Sequence, residues 1–286
     1  MKGIEECTIG IAGLGLMGGA FAMALRKCGA ASPGNLLAFD IDEKVLAEAL
    51  AASVIDEGFS ISKEMVKRCD LVFLCLNPST LLGFMRSEMG NFKEGALITD
   101  IAGIKGKICG EMEKTLRPDL DFIPGHPMAG VEKGGFSNAH LVSFKDKNYI
   151  LTPLKKNRKQ NLEFFKNLIR RLGFGRITET TAAEHDSKIA FTSQLCHVIA
   201  AALVDCEDDS EITRFGGGSF EDLTRIAMLN TPMWTEIFLE NKHELLKRIG
   251  QFEGSLGKLK KYIMEGDMAV LAETLNQVRE KRIGMS

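Results

Sequence analysis

The 286-residue chain has no basic tail and no run of five or more charges of one sign, and Lys+Arg 36 against Asp+Glu 38 leave a formal charge of -2. That balance argues against a dedicated nucleic-acid binder, so any anionic ligand has to be met by locally placed cations. The seven cysteines, Cys7, Cys28, Cys69, Cys75, Cys109, Cys196 and Cys206, are odd in number, scattered and without a C-x-x-C pair. Neither a disulfide framework nor a zinc site is expected, and the cytoplasm is the natural compartment. Residues 1–7 lack a basic segment leading into an apolar stretch, and no later segment approaches about eighteen uninterrupted apolar residues, so no signal peptide and no membrane span are expected. Internal repeats and low-complexity segments are missing too.

What is present is enough apolar sequence, 45%, for two domains each with its own core. Up to about Thr178, short apolar runs alternate with segments of helical period, the pattern of repeated βα units around a parallel sheet. Strands are predicted at Cys7–Ala12, Leu36–Asp40, Asp70–Leu76, Ala96–Asp100, Leu120–Pro124, Asn148–Pro153 and, weakly, Arg176–Thr178. Helices are predicted between them, at Met17–Cys28, Glu43–Ala51, Thr80–Met89, Lys105–Leu116 and Arg158–Leu172. From Thr180 the pattern is helical throughout: Thr181–Glu207, Phe220–Ala227, Pro232–Glu265 and Asp267–Lys281. The fold class expected is α/β, a Rossmann-type doubly wound, mostly parallel sheet over 1–178, followed by an all-helical domain over 179–286.

The first strand runs into Gly13-Leu14-Gly15-Leu16-Met17-Gly18 and then an Ala-rich helix. At a pyrophosphate the first glycine permits the tight turn, the second lets the backbone approach the phosphates, and the third lets helix and strand pack. A lone G-x-G-x-x-G is weak, but this one follows a strand, opens a helix, and is succeeded by a second strand ending in Asp40, placed to accept a ribose 2′-hydroxyl. Asp40 would repel a 2′-phosphate and no arginine follows it directly, which favours NAD over NADP, with Lys44 near enough to work against that preference.

Polar residues just beyond strand ends are the first suspects for chemistry. Gly125-His126-Pro127-Met128-Ala129-Gly130 reads as a rigid loop that could aim an imidazole into the cleft, and histidine suits proton transfer near neutrality. A histidine bonded only to nearby backbone would show the same spacing. In the helical half, Asp186, Ile189, Ser193 and His197 fall along one stripe, and His185 and His197 could equally be satisfied core residues. Further on, Gly216-Gly217-Gly218-Ser219-Phe220-Glu221-Asp222-Leu223-Thr224-Arg225 combines a glycine turn with a helix start, where Ser219 could serve as the N-cap and Arg225 could be an ordinary solvated arginine.

Together these segments resemble the prephenate dehydrogenase family, arogenate dehydrogenases included. The resemblance rests on the turn at Gly13–Gly19, the G-H-P-x-A-G segment with Glu132-Lys133 after it, the S-x-L-x-H helix at Ser193–His197, the run from Gly216 to Ala227, and Pro232-Met233-Trp234. It implies NAD-linked oxidative decarboxylation of prephenate in tyrosine biosynthesis, with catalytic residues His126, Arg225 and His197. His126 accepts the substrate hydroxyl proton, Arg225 holds a carboxylate, and His197 and Ser193 bind the pyruvyl side chain. It also implies a homodimer through the helical domain, with Ile189 to Val204 and Pro232 to Leu246 as the surface. The chain departs from the family pattern at Gly103, where a serine is usual beside the substrate, at Cys196 in place of proline and at Val131 in place of threonine. No separate regulatory module is expected. The alternatives are an arogenate dehydrogenase, with Glu184, Asp186 or Asp205 meeting the substrate amine, a β-hydroxyacid dehydrogenase using Lys188, and a non-catalytic NAD sensor.

Overall fold

A computed structural model describes residues 3–285. Eight strands form a single sheet: β1 (Ile9–Ala12), β2 (Leu36–Phe39), β3 (Glu57–Phe59), β4 (Leu71–Leu74), β5 (Leu97–Asp100), β6 (Asp121–Pro127), β7 (Asn148–Leu151) and β8 (Arg176–Glu179). Their order is β3-β2-β1-β4-β5-β6-β7-β8, and every pairing is parallel except β6 with β7. The chain therefore leaves β1 on one side, returns to β4 on the other, and opens a crevice at that reversal, where Gly13 follows β1.

The buried strands show why the sheet is covered on both faces. In β1 the side chains of Ile9 and Ile11, and in β4 those of Leu71 and Phe73, enter one core with Phe21, Phe144, Phe165 and Phe174. Their alternating neighbours Ala12, Val72 and Leu74 enter the other, with Met65, Leu81, Met85, Ile108 and Met112. Helices α1 (Leu16–Lys27), α2 (Glu43–Ala51) and α6 (Lys159–Arg171) supply the first core, and α3 (Ser62–Val66), α4 (Pro78–Glu88) and α5 (Gly106–Thr115) the second.

Among the described residues only helical elements follow β8: α7 (Ala182–Ile189), a π-helical turn (Ala190–Gln194), α8 (Leu195–Asp205), α9 (Gly218–Thr224), α10 (Thr231–Glu240), α11 (Lys242–Glu265) and α12 (Met268–Ile283). The segment predicted as one helix over Pro232–Glu265 is two, because the chain breaks at Asn241. That residue is buried, and its side-chain amide donates to Asp186 O at 2.9 Å and to Gln194 Oε1 at 2.8 Å. Residues 182–205 form one continuous helical run containing an 18-residue stretch of mean hydropathy 1.4, long and apolar enough by composition alone to cross a membrane, where the sequence reading expected no such segment. The difference arises because the polar residues within it are few rather than missing. His185 and Gln194 lie buried in the fold, and Asp186 bonds the start of α5. Phe191 and Val204 remain about half exposed.

Candidate active site

The turn after β1 is built around its glycines. Gly13 has φ +89°, and a Cβ there would lie 2.6 Å from Cys75 O; one at Gly18 would collide with Gly13 O. Gly15 is different, since a Cβ there would meet nothing within 4 Å. The protein does not require that glycine; the space in front of it does. Gly15 caps α1, whose first turn (Leu16, Met17, Gly18) carries no acid, so the helix N-terminus offers free N–H groups and positive potential to an anion. Asp40, just past β2, accepts from Leu14 N at 2.6 Å with Oδ2 and from Asp42 N at 2.9 Å with Oδ1, which fastens the turn to the neighbouring strand. The cradle fits a dinucleotide pyrophosphate, with Asp40 at its rim.

His126 corrects the loop reading. It lies within β6, opposite Ile150 of the antiparallel β7, and not in a loop beyond a strand. Pro124 and Pro127 had suggested a break, but Pro124 still serves the sheet as an acceptor, from Thr152 N at 3.1 Å, and a missing N–H is tolerable where the pairing changes direction. The partly buried imidazole has Nδ1 at 2.9 Å from Nε2 of His185. His185 Nδ1 lies 2.7 Å from Asp186 Oδ1, and Asp186 accepts the backbone N–H groups of Lys105 at 2.8 Å and Gly106 at 2.7 Å, at the start of α5. Burial, with the nearby His185 and Lys105 adding to it, holds the His126 pKa well below the usual histidine value. Beneath them Lys105 and Asp100 form an ion pair with both side chains fully buried. Asp100 also accepts from Ala102 N at 2.9 Å and Gly125 N at 3.2 Å, tying the end of β5 to the strand that carries His126.

Gly103 sits beside this histidine. A Cβ there would be 3.8 Å from His126 Nε2 and 3.5 Å from Ile237 Cδ1, both ordinary contacts. Ile237 belongs to α10, which crosses the carboxyl ends of the strands and is held there by Ser79 N donating to Glu236 and by Lys107 with Glu240 at 2.5 Å. One turn earlier on α10, Trp234 lies against His197, ring centroids 3.7 Å apart. His197 Nδ1 is 2.9 Å from Ser193 O, the serine lying in the π-helical turn. Burial pushes the His197 pKa down, partly countered by the Ser193 carbonyl and Glu132. Arg225, in the 3-10 turn after α9, pairs with Glu132 from the segment following β6, and its side chain is 59% exposed, available to a ligand. The structure thus places Gly103 and His126 together on the sheet side, His197, Ser193 and Arg225 on the helical side, and α10 as the bridge. Of the expected stripe, Asp186 bonds the start of α5, and a π turn at Ala190–Gln194 intervenes between it and His197.

Comparison with known proteins gives the family. Residues 21–178 match the model for the prephenate dehydrogenase nucleotide-binding domain, and residues 181–277 that for the prephenate dehydrogenase dimerization domain. The chain belongs to the prephenate dehydrogenase family. Within that family it is 32% identical to the prephenate dehydrogenase of Bacillus subtilis, covering 97% of this chain and 76% of that one. It is 31% identical to the cyclohexadienyl dehydrogenase of Zymomonas mobilis, covering 97% and 95%. A crystal structure of Aquifex aeolicus prephenate dehydrogenase in complex with hydroxyphenyl propionate and NAD+ superposes with a TM-score of 0.85 at 32% identity, covering 97% of this chain and 98% of that one. What sequence reasoning missed is how residues it named or left aside are joined: His185 and Asp186 bonded in line with His126, Lys105 paired with Asp100 in the interior, and Trp234 stacked on His197. The histidine–aspartate neighbours carry no local signal, since their partners are 59 and 81 residues away.

Proposed function

We propose that the chain catalyses the NAD-dependent oxidative decarboxylation of prephenate to 4-hydroxyphenylpyruvate. The single observation carrying this reading is His126, a histidine held neutral by its surroundings, with Nδ1 engaged by His185 and Nε2 facing the space beside Gly103. The backbone of Leu14–Gly18 and the Asp40 carboxylate hold the cofactor, with Gly13, Gly15 and Gly18 shaping its cradle. Bound there, NAD supplies the hydride acceptor. His126 Nε2 takes the proton of the substrate carbinol hydroxyl. Loss of the ring carboxylate as carbon dioxide leaves an electron pair that completes an aromatic ring, so little further base catalysis is needed. Arg225 binds that carboxylate, which has to displace Glu132 from the guanidinium. Ser193 and His197 hold the pyruvyl side chain, and Gly103 lies beside His126 Nε2.

The acids weighed as partners for an arogenate ammonium are engaged or distant, which supports the keto substrate. Asp186 is taken up by His185 and two backbone N–H groups. Glu184 accepts from Thr180 Oγ1 at 2.7 Å, and Asp205 lies two turns beyond His197. A division near 178/179, at the last residues of β8, would put the cofactor cradle and His126 in one unit and Arg225, His197 and Ser193 in the other. A homodimer through the helical unit is supported by α12, which buries no residue, and by α11, which buries only Leu245 while leaving Leu246, Leu256 and Ile263 exposed. The test is NADH absorbance on mixing the protein with NAD and either prephenate or arogenate. Turnover of prephenate is expected; turnover of arogenate alone would move the substrate, and no turnover while NAD binds would favour a sensor.

A further inference from the structure

The polarity of the hydrogen-bond chain behind His126 can be read from its far end. Asp186 has no proton to offer as a carboxylate, and it already accepts from Lys105 N and Gly106 N. At 2.7 Å, His185 Nδ1 must therefore be the donor to Asp186. The neutral His185 ring then has only a lone pair at Nε2, so at 2.9 Å it is His126 Nδ1 that donates. The tautomer left on His126 carries its lone pair on Nε2, the nitrogen nearest the position a residue-103 side chain would occupy. Isolated imidazole has no such constraint. In this protein the choice is fixed by two residues from a helix of the other structural unit.

We propose that His185 and Asp186 are positioning residues: they hold His126 as the Nδ1–H tautomer with Nε2 ready to accept a proton, and they take up the resulting charge. The proposal rests on the functional reading above. When Nε2 binds the substrate proton, the Nδ1 proton moves to His185 Nε2. His126 is left neutral with its proton on Nε2, and the imidazolium sits on His185 against the Asp186 carboxylate. One proton enters the chain, one moves along it, and no electrons are transferred. The charged and titratable groups facing His185 are Asp186, Lys105, Asp100 and His126. Asp186 and Asp100 favour the cation there, while Lys105 and burial oppose it. Asp186 is itself held in place at the N-terminus of α5 by the backbone N–H groups of Lys105 and Gly106. The same three-member logic, base oriented by a second group which is oriented by an acid, operates in hydrolytic triads, where losing the orienting acid costs about 10⁴-fold in kcat.

The test combines a spectrum with kinetics. With five histidines in the chain, nitrogen-15 spectra of histidine-labelled protein can be assigned by substitution. The expected result at pH 7.5 is a His126 ring protonated on Nδ1 and bare at Nε2; the opposite tautomer overturns the proposal whether or not the protein turns over prephenate. In kinetics, His185→Phe is expected to lower kcat about 10²-fold or more with less than about threefold change in NAD affinity and KM. His185→Gln keeps an acceptor for His126 Nδ1 and is expected to recover at least about tenfold of that loss. A His185→Phe enzyme within threefold of wild-type kcat overturns the proposal, as does equal impairment of the Phe and Gln variants when both melt like wild type. Wild-type protein inactive on prephenate and arogenate would defeat the functional reading alone, since the tautomer is measured without substrate.

Discussion

The glycine before the base tests whether the strand and the site are one construction. Gly125 pairs with Leu151 and lies under the ring of Tyr149, two residues along the same strand face. A Cβ at position 125 would come within 2.5 Å of Tyr149 Cε1 and 2.8 Å of Cζ, and closer still to the hydroxyl oxygen. The ring is fully buried, with Phe165 and Phe174 edge-on to it at centroid distances of 6.0 and 5.0 Å, so it has nowhere to retreat. Replacing Gly125 by alanine sets two effects against each other. Freedom from a strand glycine should stabilise by roughly 0.5–1 kcal/mol. Overpacking a fixed ring should destabilise by roughly 1–3 kcal/mol, and more atoms are in conflict than a rotamer change can relieve. The net expectation is a loss of roughly 1–2 kcal/mol, read as a fall of about 2–4 °C in melting temperature at ~2 °C per kcal/mol for a chain of this size. Because His126 is the next residue, the same displacement should lower kcat by about 10-fold to 100-fold. Tyr149→Leu removes the conflicting ring atoms, so the double variant should be less destabilised than the sum of the singles. A Gly125→Ala protein that melts within 1 °C of wild type and keeps its kcat, or a strictly additive cycle, would refute the argument.

Three further outcomes are expected. Gly103→Ser introduces a Cβ at ordinary contact distances, so melting should be unchanged within about 0.5 kcal/mol. Its hydroxyl should raise kcat/KM about 2- to 10-fold through one hydrogen bond near His126; a fall in kcat/KM would show that the open space itself is needed. Arg225→Ala should raise the KM for prephenate about 10- to 100-fold, the worth of a charged hydrogen bond, with little effect on melting because the side chain is mostly exposed; an unchanged KM would remove Arg225 from the carboxylate. Finally, His126, His185 and His197 all have pKa values depressed by burial. Below the ordinary histidine value near 6.5 the unfolded chain binds protons that the folded chain does not, so stability is present above that pH and lost as pH falls through it. Urea midpoints at pH 7.5 and 5.5 should fall in that order, and a higher midpoint at pH 5.5 would contradict the burial argument.

Much of the fold was legible because its physics is local. Buried parallel strands must be apolar on both faces, and β1, β2, β4 and β5 are short apolar runs closed by Gly, Asp or Asn. What was missed had weaker local determinants. Strand β3 is three residues containing Gly58, and it exists through its pairing with β2 and the contact of Gly58 with Leu46, at 3.1 Å for a Cβ. Helix α3 is too short to show a period. The break at Asn241 reads as ordinary helix because asparagine is tolerated there; only its bonds to Asp186 and Gln194 show why the chain turns. In β6 the two prolines outweighed everything else, although the sheet uses them where a donor is not needed.

The candidate site divides along the same line. Its glycines announce themselves, since a φ of +89° at Gly13 and the close approach of Gly18 to the Gly13 carbonyl admit little else. His126, His197 and Arg225 stand out by the uncommon segments that hold them. His185 and Asp186 do not, because a histidine on a largely apolar helix looks the same whether it fills a core or orients a base. What separates the two cases is the partner at the other end of each bond: a strand 59 residues earlier for His185, and the first turn of α5, 80 and 81 residues earlier, for Asp186. Both partners sit at the carboxyl edge of the sheet, and α7 reaches that edge because it starts directly from β8, with Thr181 capping the helix through Glu184 N. The position of the helical unit over the sheet is therefore what brings the second histidine to the first. A change that loosened that contact would be felt at the base before it was felt by the cofactor cradle, which is built from β1, α1, Asp40 and the Cys75 segment after β4.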